Sequence, residues 1–218
     1  MHCALAIFDM DGTILNTLED LTQTLNTALA SRGMPERTME EVRCFVGNGI
    51  PRLIQRAVPA QTTADEVEEV TAAFHRYYAV HCGDHTGPYP GVPELLQALR
   101  QAGIRTAVVS NKADYAVQAL CRQYFPGQFD MAVGQREGIR SKPAPDSVYA
   151  VLRRLAIDPD RAVFIGDSDV DVETAQNAGL PCWAVDWGYR DRAVLEAAGA
   201  TAVFSNAAAL QQALLGLE

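Results

Sequence analysis

The sequence predicts an α/β fold: a doubly wound, Rossmann-like parallel sheet that carries an inserted small helical domain. Three observations lead there. From about residue 85 to the end, short apolar runs alternate with amphipathic helical runs, the pattern of a parallel sheet covered on both faces. Residues 16–84 show helical spacing only and form too long a stretch for a simple crossover. The predicted strands end in polar clusters, and an open parallel sheet binds its ligands beyond the carboxyl ends of its strands.

Taken in order, residues 3–8 read as a continuously apolar strand. Helical spacing follows over 18–31, 39–46, 50–58 and 64–82, interrupted by Gly33, Gly47, Gly49, Pro51 and Pro59. "TTADEVEE" supplies an N-cap and an acidic first turn for the last of these helices. "HTGPYPGVP" reads as a linker. Helices are then expected at 93–102, 114–124, 145–155, 170–178, 193–198 and 207–215. Strands are expected at 104–110, 130–134, 162–166, 182–186 and 201–204. The expected division is a core of residues 1–15 and 85–218 with a helical cap of residues 16–84.

Composition narrows the classes. The 218 residues are 48% hydrophobic and 21% charged, which is ordinary for a globular chain. The net charge of −9 disfavours general attraction to nucleic acid or to an anionic membrane. No apolar run approaches the roughly 20 residues of a membrane span, and no signal peptide is expected before the first strand. Five scattered cysteines without CxxC spacing fit a reduced, cytoplasmic chain. The four histidines, His2, His75, His81 and His85, lack ligand spacing and read as surface or linker residues. Trp183 and Trp187 read as packing. Monomer and homodimer both remain open.

Three expected strands end in chemically loaded residues: Asp9-Met10-Asp11-Gly12-Thr13, Ser110-Asn111-Lys112, and Gly166-Asp167-Ser168-Asp169-Val170-Asp171. Lys142-Pro143-Ala144-Pro145 sits before a helix. Packing Asp9 and Asp11 so closely is costly unless a cation neutralises them. Asp9, Asp11 and Asp167 supply hard oxygen ligands suited to Mg²⁺. Ser110, Asn111 and Lys142 supply hydrogen bonds and positive charge suited to a phosphate oxygen. A carboxylate beside Mg²⁺ can attack phosphorus, and hydrolysis then needs a second carboxyl as acid and base. Two aspartates at i and i+2 of a regular strand share one face and so reach one phosphate.

"DMDGT", "SNK", "KPAP" and "GDSDVD", in this order, resemble the four motifs of the haloacid dehalogenase superfamily, over nearly the whole chain. The resemblance implies that Asp9 is the nucleophile and a metal ligand. It implies that Asp11 is the general acid and base and gives its backbone carbonyl to the metal. Ser110 would bind the phosphoryl group, and Lys142 would hold the charge of nucleophile and phosphate. Asp167 would be the remaining carboxylate ligand, with Asp171 behind it. "VGNGIPRLIQRA" and "YPGVPELLQALRQAGI" resemble the phosphoglycolate phosphatases of that superfamily. Asn16-Thr17 departs from the acidic residue and serine that many relatives carry, and is expected to alter cap hinging or hydrogen bonds behind the site.

The expected activity is therefore Mg²⁺-dependent hydrolysis of a small-molecule phosphate ester, such as 2-phosphoglycolate. Thr13, Gly47, Asn48 and Arg52 join Ser110 and Asn111 as expected substrate contacts, with Arg52 facing a carboxylate. The competing readings are a β-phosphoglucomutase-like mutase, a pyrophosphatase, and a non-catalytic binding protein. Thr13 speaks against the mutase, and the presence of both aspartates speaks against the binding protein. Bland roles were weighed too: Asp9 and Asp11 as turn residues, Ser110-Asn111 as a helix cap, Lys142 and Arg52 as solvated cations, and Asp169 as a solvated turn residue.

Overall fold

The computed structural model describes residues 3–216, so His2 lies outside the described residues. Six strands pair in parallel: β1 (Leu5–Phe8), β4 (Arg105–Ala113), β5 (Met131–Gln135), β6 (Ala162–Gly166), β7 (Cys182–Val185) and β8 (Ala202–Phe204), in the order β5-β4-β1-β6-β7-β8. The chain builds outward from β1 to one side, then returns to build on the other. The reversal lies between β1 and β6, where a doubly wound sheet opens its crevice.

Apolar residues on both faces explain the layers. Leu5 and Ile7 of β1 join Val109, Val133 and Phe164 in a core under α7 (Asp146–Leu155) and α8 (Asp169–Ala178). Ala6 and Phe8 join Val108, Val163 and Ile165 in the core on the other face. That core is covered by α5 (Val92–Gln101), α6 (Asp114–Tyr124) and α10 (Ala207–Leu215) and continues into the helices between β1 and α5. A further helix, α9 (Arg192–Ala198), links β7 to β8.

The four expected helices of the insertion are present: α1 (Leu18–Ala30), α2 (Met39–Phe45), α3 (Ile50–Ala57) and α4 (Ala64–His81). Thr38 with Glu41, and Thr63 with Glu66, form capping boxes that start α2 and α4. Two short strands escaped the sequence reading. β2 (Leu15–Asn16) and β3 (Gly87–Pro88) pair antiparallel, so the chain enters and leaves the helices side by side. Two-residue strands have no periodicity to betray them. Buried Asp20 of α1 reinforces the junction, accepting from the backbone N–H groups of His85 (2.9 Å) and Thr86 (2.8 Å). His85, expected as a free linker residue, also lays Nδ1 3.0 Å from Asp20 Oδ1.

Candidate active site

The first polar cluster begins where β1 stops. The Asp9 N–H still donates to Ile165 (2.8 Å), continuing the ladder, but the chain then curls around the Met10 carbonyl, which accepts from Ile14 (3.1 Å) and Leu15 (3.0 Å). Gly12 allows this with φ +84°, and a side chain there would collide with Asp167. Asp9 and Asp11 therefore do not share the face of a regular strand, as their spacing suggested. The turn separates them into two environments.

Asp9 lies among buried charges. One oxygen each of Asp9, Asp167 and Asp171 fall within 4.8 Å of one another. Lys142 Nζ lies 2.9 Å from Asp9 Oδ1 but is poorly aligned, so this buried oxygen makes no hydrogen bond. Burial pushes the Asp9 carboxyl up to about 6, against the pull of Lys142 and helped by Asp171 and Asp11. Burial likewise raises Asp167, with Asp171 and Asp9 adding to it. For Lys142 burial opposes the charge, but Asp171 and Asp9 outweigh it and hold the ammonium protonated.

The other carboxylates of this group are held by neighbours. Asp167 accepts from the Thr13 hydroxyl (3.0 Å) and the Tyr189 N–H (2.8 Å). Asp171, fully buried, accepts from Lys142 Nζ (2.6 Å) through one oxygen and from the Ser168 hydroxyl (2.6 Å) through the other. It thereby caps α8 and fixes Lys142 at once. Asp169 instead starts α8 at the surface and pairs with Arg190 at 3.4 Å. Three buried carboxylates facing one ammonium, with an oxygen of Asp9 unbonded, form a hard-oxygen set that fits a divalent cation.

Asp11 stands apart from this cluster. Its Oδ1 accepts from the Thr17 hydroxyl (2.7 Å) and from Lys112 Nζ (2.8 Å). Asn16-Thr17 thus reaches the site through Thr17. Thr17 is the N-cap position of α1 yet makes no side-chain cap bond, while Asn16 accepts from the Leu18 N–H at 3.3 Å.

The second cluster owes its geometry to a bulge. The expected strand 104–110 runs on to Ala113, and between Val109 and Ala113 four residues of β4 step against two of β5. The two surplus residues carry the backbone of Ser110, Asn111 and Lys112 out of the β5 ladder, and all three side chains are buried. Gly134 makes room, since a side chain there would lie 2.7 Å from the Lys112 carbonyl. Ser110 and Asn111 do not cap α6, whose N-cap is Ala113. Asn111 accepts from the Lys142 N–H (2.8 Å) and donates to the carbonyls of Lys142 (3.1 Å) and Gly47 (3.1 Å). It joins the second motif, the third motif and the helical insertion.

Over these groups lies a cavity of about 40 Å³. Asp9, Asp11, Ser110 and Asn111 form its floor, and Leu21, Ile50, Leu53, Gly47 and Tyr78 of the insertion form its roof. Three expected contacts are not brought there, one of them Thr13, whose hydroxyl is turned to Asp167. Arg52 is exposed and donates to Gln55 (2.7 Å), and Asn48 accepts from Arg56 (2.9 Å); neither lines the cavity. Arg52 lies on the face of α3 opposite Ile50, Leu53 and Ile54, as the apolar spacing of that helix dictates. Three residues escaped the sequence reading: Lys112, Tyr78 and Tyr189. The signal for Lys112 was its place in a polar triplet that closes an apolar strand. The tyrosines offered none.

Residues 6–185 match the model of the haloacid dehalogenase-like hydrolases, and the chain belongs to that family. It is 33% identical over 207 residues to phosphoglycolate phosphatase 1 of Pseudomonas aeruginosa, covering 93% of this chain and 76% of that one. It is 34% identical over 190 residues to the N-acetylmuramic acid 6-phosphate phosphatase of the same organism, covering 87% and 84%. A crystal structure from Lactobacillus delbrueckii subsp. bulgaricus, provisionally named a phosphoglycolate phosphatase, superposes with a TM-score of 0.94 at 40% identity, covering 99% of this chain and all of that one. Within its family the chain is a phosphatase. Among the described residues no helix is long and apolar enough to cross a membrane.

Proposed function

We propose that the chain hydrolyses the phosphate ester of a small carboxylic acid, with 2-phosphoglycolate the foremost candidate, through a phosphoryl group carried on Asp9. The observation that carries this reading is the difference between the two aspartates. Asp9 is buried beside Lys142 with an unbonded oxygen, whereas Asp11 faces the cavity between Thr17 and Lys112. Paired carboxyls in unlike environments suit unlike roles. Asp9 attacks phosphorus as the ester bond breaks, and Asp11 gives its proton to the leaving oxygen. Asp11 then takes a proton from the water that attacks phosphorus and frees Asp9. Lys142 and Ser110 hold the phosphoryl oxygens in place.

Asp9 and Asp167 would hold a Mg²⁺ ion, which when bound supplies positive charge to the packed carboxylates and to the phosphoryl oxygens. Residues 16–84 act as a cap that selects the leaving group, since the core groups meet only the phosphoryl end.

The test is Asp11→Asn with 2,4-dinitrophenyl phosphate, whose leaving group needs no proton. This variant should form a phosphoenzyme and hydrolyse it slowly, and mass spectrometry after acid quench should find phosphate on Asp9. Phosphate on any other residue refutes the assignment of the nucleophile. In the wild type, chelation should abolish turnover of 2-phosphoglycolate and Mg²⁺ should restore it; full turnover after metal stripping refutes the metal.

A further inference from the structure

Two cations line the cavity, Lys112 and Arg190. Arg190 is tied to the insertion and to α8, donating to the carbonyls of Arg43 (3.0 Å) and Val46 (2.8 Å) while pairing with Asp169 at 3.4 Å, so three of its five N–H donors are used and its direction is set by these contacts, none of them to Asp11. The Lys112 side chain is 2% exposed, and its ammonium donates to Asp11 (2.8 Å) and to the Tyr78 hydroxyl. A third ammonium proton finds no acceptor among the described residues. An ammonium only donates, so the Tyr78 oxygen is the acceptor of that bond and keeps its own proton. Tyr78 is wholly buried, and its O–H likewise has no acceptor among the described residues. Burial holds this phenol in its neutral, donating form.

Two unused donors, one of them charged, thus sit side by side among the lining residues, beside Asp11, in a cavity that the apolar Leu21, Ile50 and Leu53 also line. Leaving buried donors unmatched is costly, so this pair gains from an acceptor that a ligand brings. We infer that Lys112 and Tyr78 form the subsite for the carboxylate of the leaving group. Reach supports this. In the phosphate ester of a 2-hydroxy acid the carboxylate is bonded to the same carbon as the leaving oxygen. A cation 2.8 Å from the carboxyl that protonates that oxygen is within reach of a carboxylate on the adjoining carbon. The substrate class is then the phosphate esters of short 2-hydroxycarboxylic acids. The inference rests on the reaction proposed above and assigns the carboxylate's partners within it.

The experiment compares 2-phosphoglycolate with 2-hydroxyethyl phosphate, in which a hydroxymethyl group replaces the carboxylate. The readout is the ratio of their kcat/KM values, which cancels any shared loss through folding or through Asp11. Wild type should favour 2-phosphoglycolate by roughly tenfold to a hundredfold. Lys112→Met should bring the ratio to within about threefold of unity, with the change in KM. Tyr78→Phe keeps the ring and should reduce the ratio by about three- to tenfold, giving a second arm should Lys112→Met fold poorly. A high ratio retained in both variants overturns the subsite while leaving the proposed reaction intact. A wild-type ratio near one overturns the carboxylated substrate itself.

Discussion

The hydroxyl of Thr17 links Asp11 to the body of the protein, and its removal can be followed quantitatively. A carboxylate only accepts, so the Thr17 hydroxyl donates to Asp11 (2.7 Å); the Tyr189 hydroxyl, 2.9 Å away, must therefore donate to Thr17. The Tyr189 oxygen in turn accepts from the Thr17 N–H at 3.3 Å. Thr17→Val keeps the shape and deletes both side-chain bonds. Asp11 is then held by Lys112 alone, and the buried Tyr189 O–H loses its acceptor. The stranded donor costs about 1–3 kcal/mol of stability. At about 2–4 °C per kcal/mol for a chain of this size, Tm should fall by roughly 2–12 °C. The bond to Asp11 is charge-assisted and worth about 1.5–3 kcal/mol, so if it serves to aim Asp11, kcat on 2-phosphoglycolate should drop by roughly ten- to a hundredfold. Thr17→Ser should leave both quantities near wild type. Adding Tyr189→Phe to Thr17→Val exchanges the stranded phenol O–H for a stranded backbone N–H at position 17, so the double variant should regain neither Tm nor kcat. The assays are a thermal melt and steady-state phosphate release. Wild-type kcat in Thr17→Val would show that Asp11 needs no such support, and a wild-type Tm in Thr17→Val would refute the stranded donor.

Two further outcomes follow from the geometry. Arg52→Ala should change KM for 2-phosphoglycolate by less than about twofold, because the side chain lies outside the cavity; a rise of tenfold would restore the carboxylate contact that the sequence suggested. His85 has its pKa raised by its hydrogen bond to Asp20, so its contribution to stability is fully present below the unfolded value of about 6.5 and fades as pH rises through the higher folded value. The Tm difference between wild type and His85→Gln should accordingly be larger at pH 5.5 than at pH 9, and a difference independent of pH would dismiss the ion pair.

The legible parts of the molecule were those with local causes. Alternating apolar strands and amphipathic helices gave the sheet, the four inserted helices and the edges of most elements, because burial on two faces leaves a long periodic trace. The four polar motifs gave Asp9, Asp11, Ser110, Lys142 and Asp167, which do gather at the reversal between β1 and β6. What stayed hidden depended on contacts across the fold. Lys112 stands in the polar cluster Ser110-Asn111-Lys112, but its partner Asp11 lies 101 positions away in the chain and leaves no local trace. Tyr78 looks like any apolar-face residue of α4. Arg52 looked promising because arginine suits carboxylates, but its direction is set by the phase of α3, and that phase is fixed by Ile50, Leu53 and Ile54 packing inward.

The bulge in β4 also fixes what the segment 110–112 can tolerate as the sequence drifts. Its two surplus residues are a matter of length, and no choice of side chain can replace them. Exchanging Ser110 or Asn111 for another small polar residue alters one contact at a time. Deleting a single residue between Val109 and Ala113 would instead turn the neighbouring side chains to opposite faces of the sheet, drawing Ser110, the Asn111 bridge and the Asp11-holding lysine out of register together. Spacing here is therefore the more fragile inheritance. Gly134, whose missing side chain leaves room for the extra backbone, is coupled to that length rather than to the identity of any residue it touches.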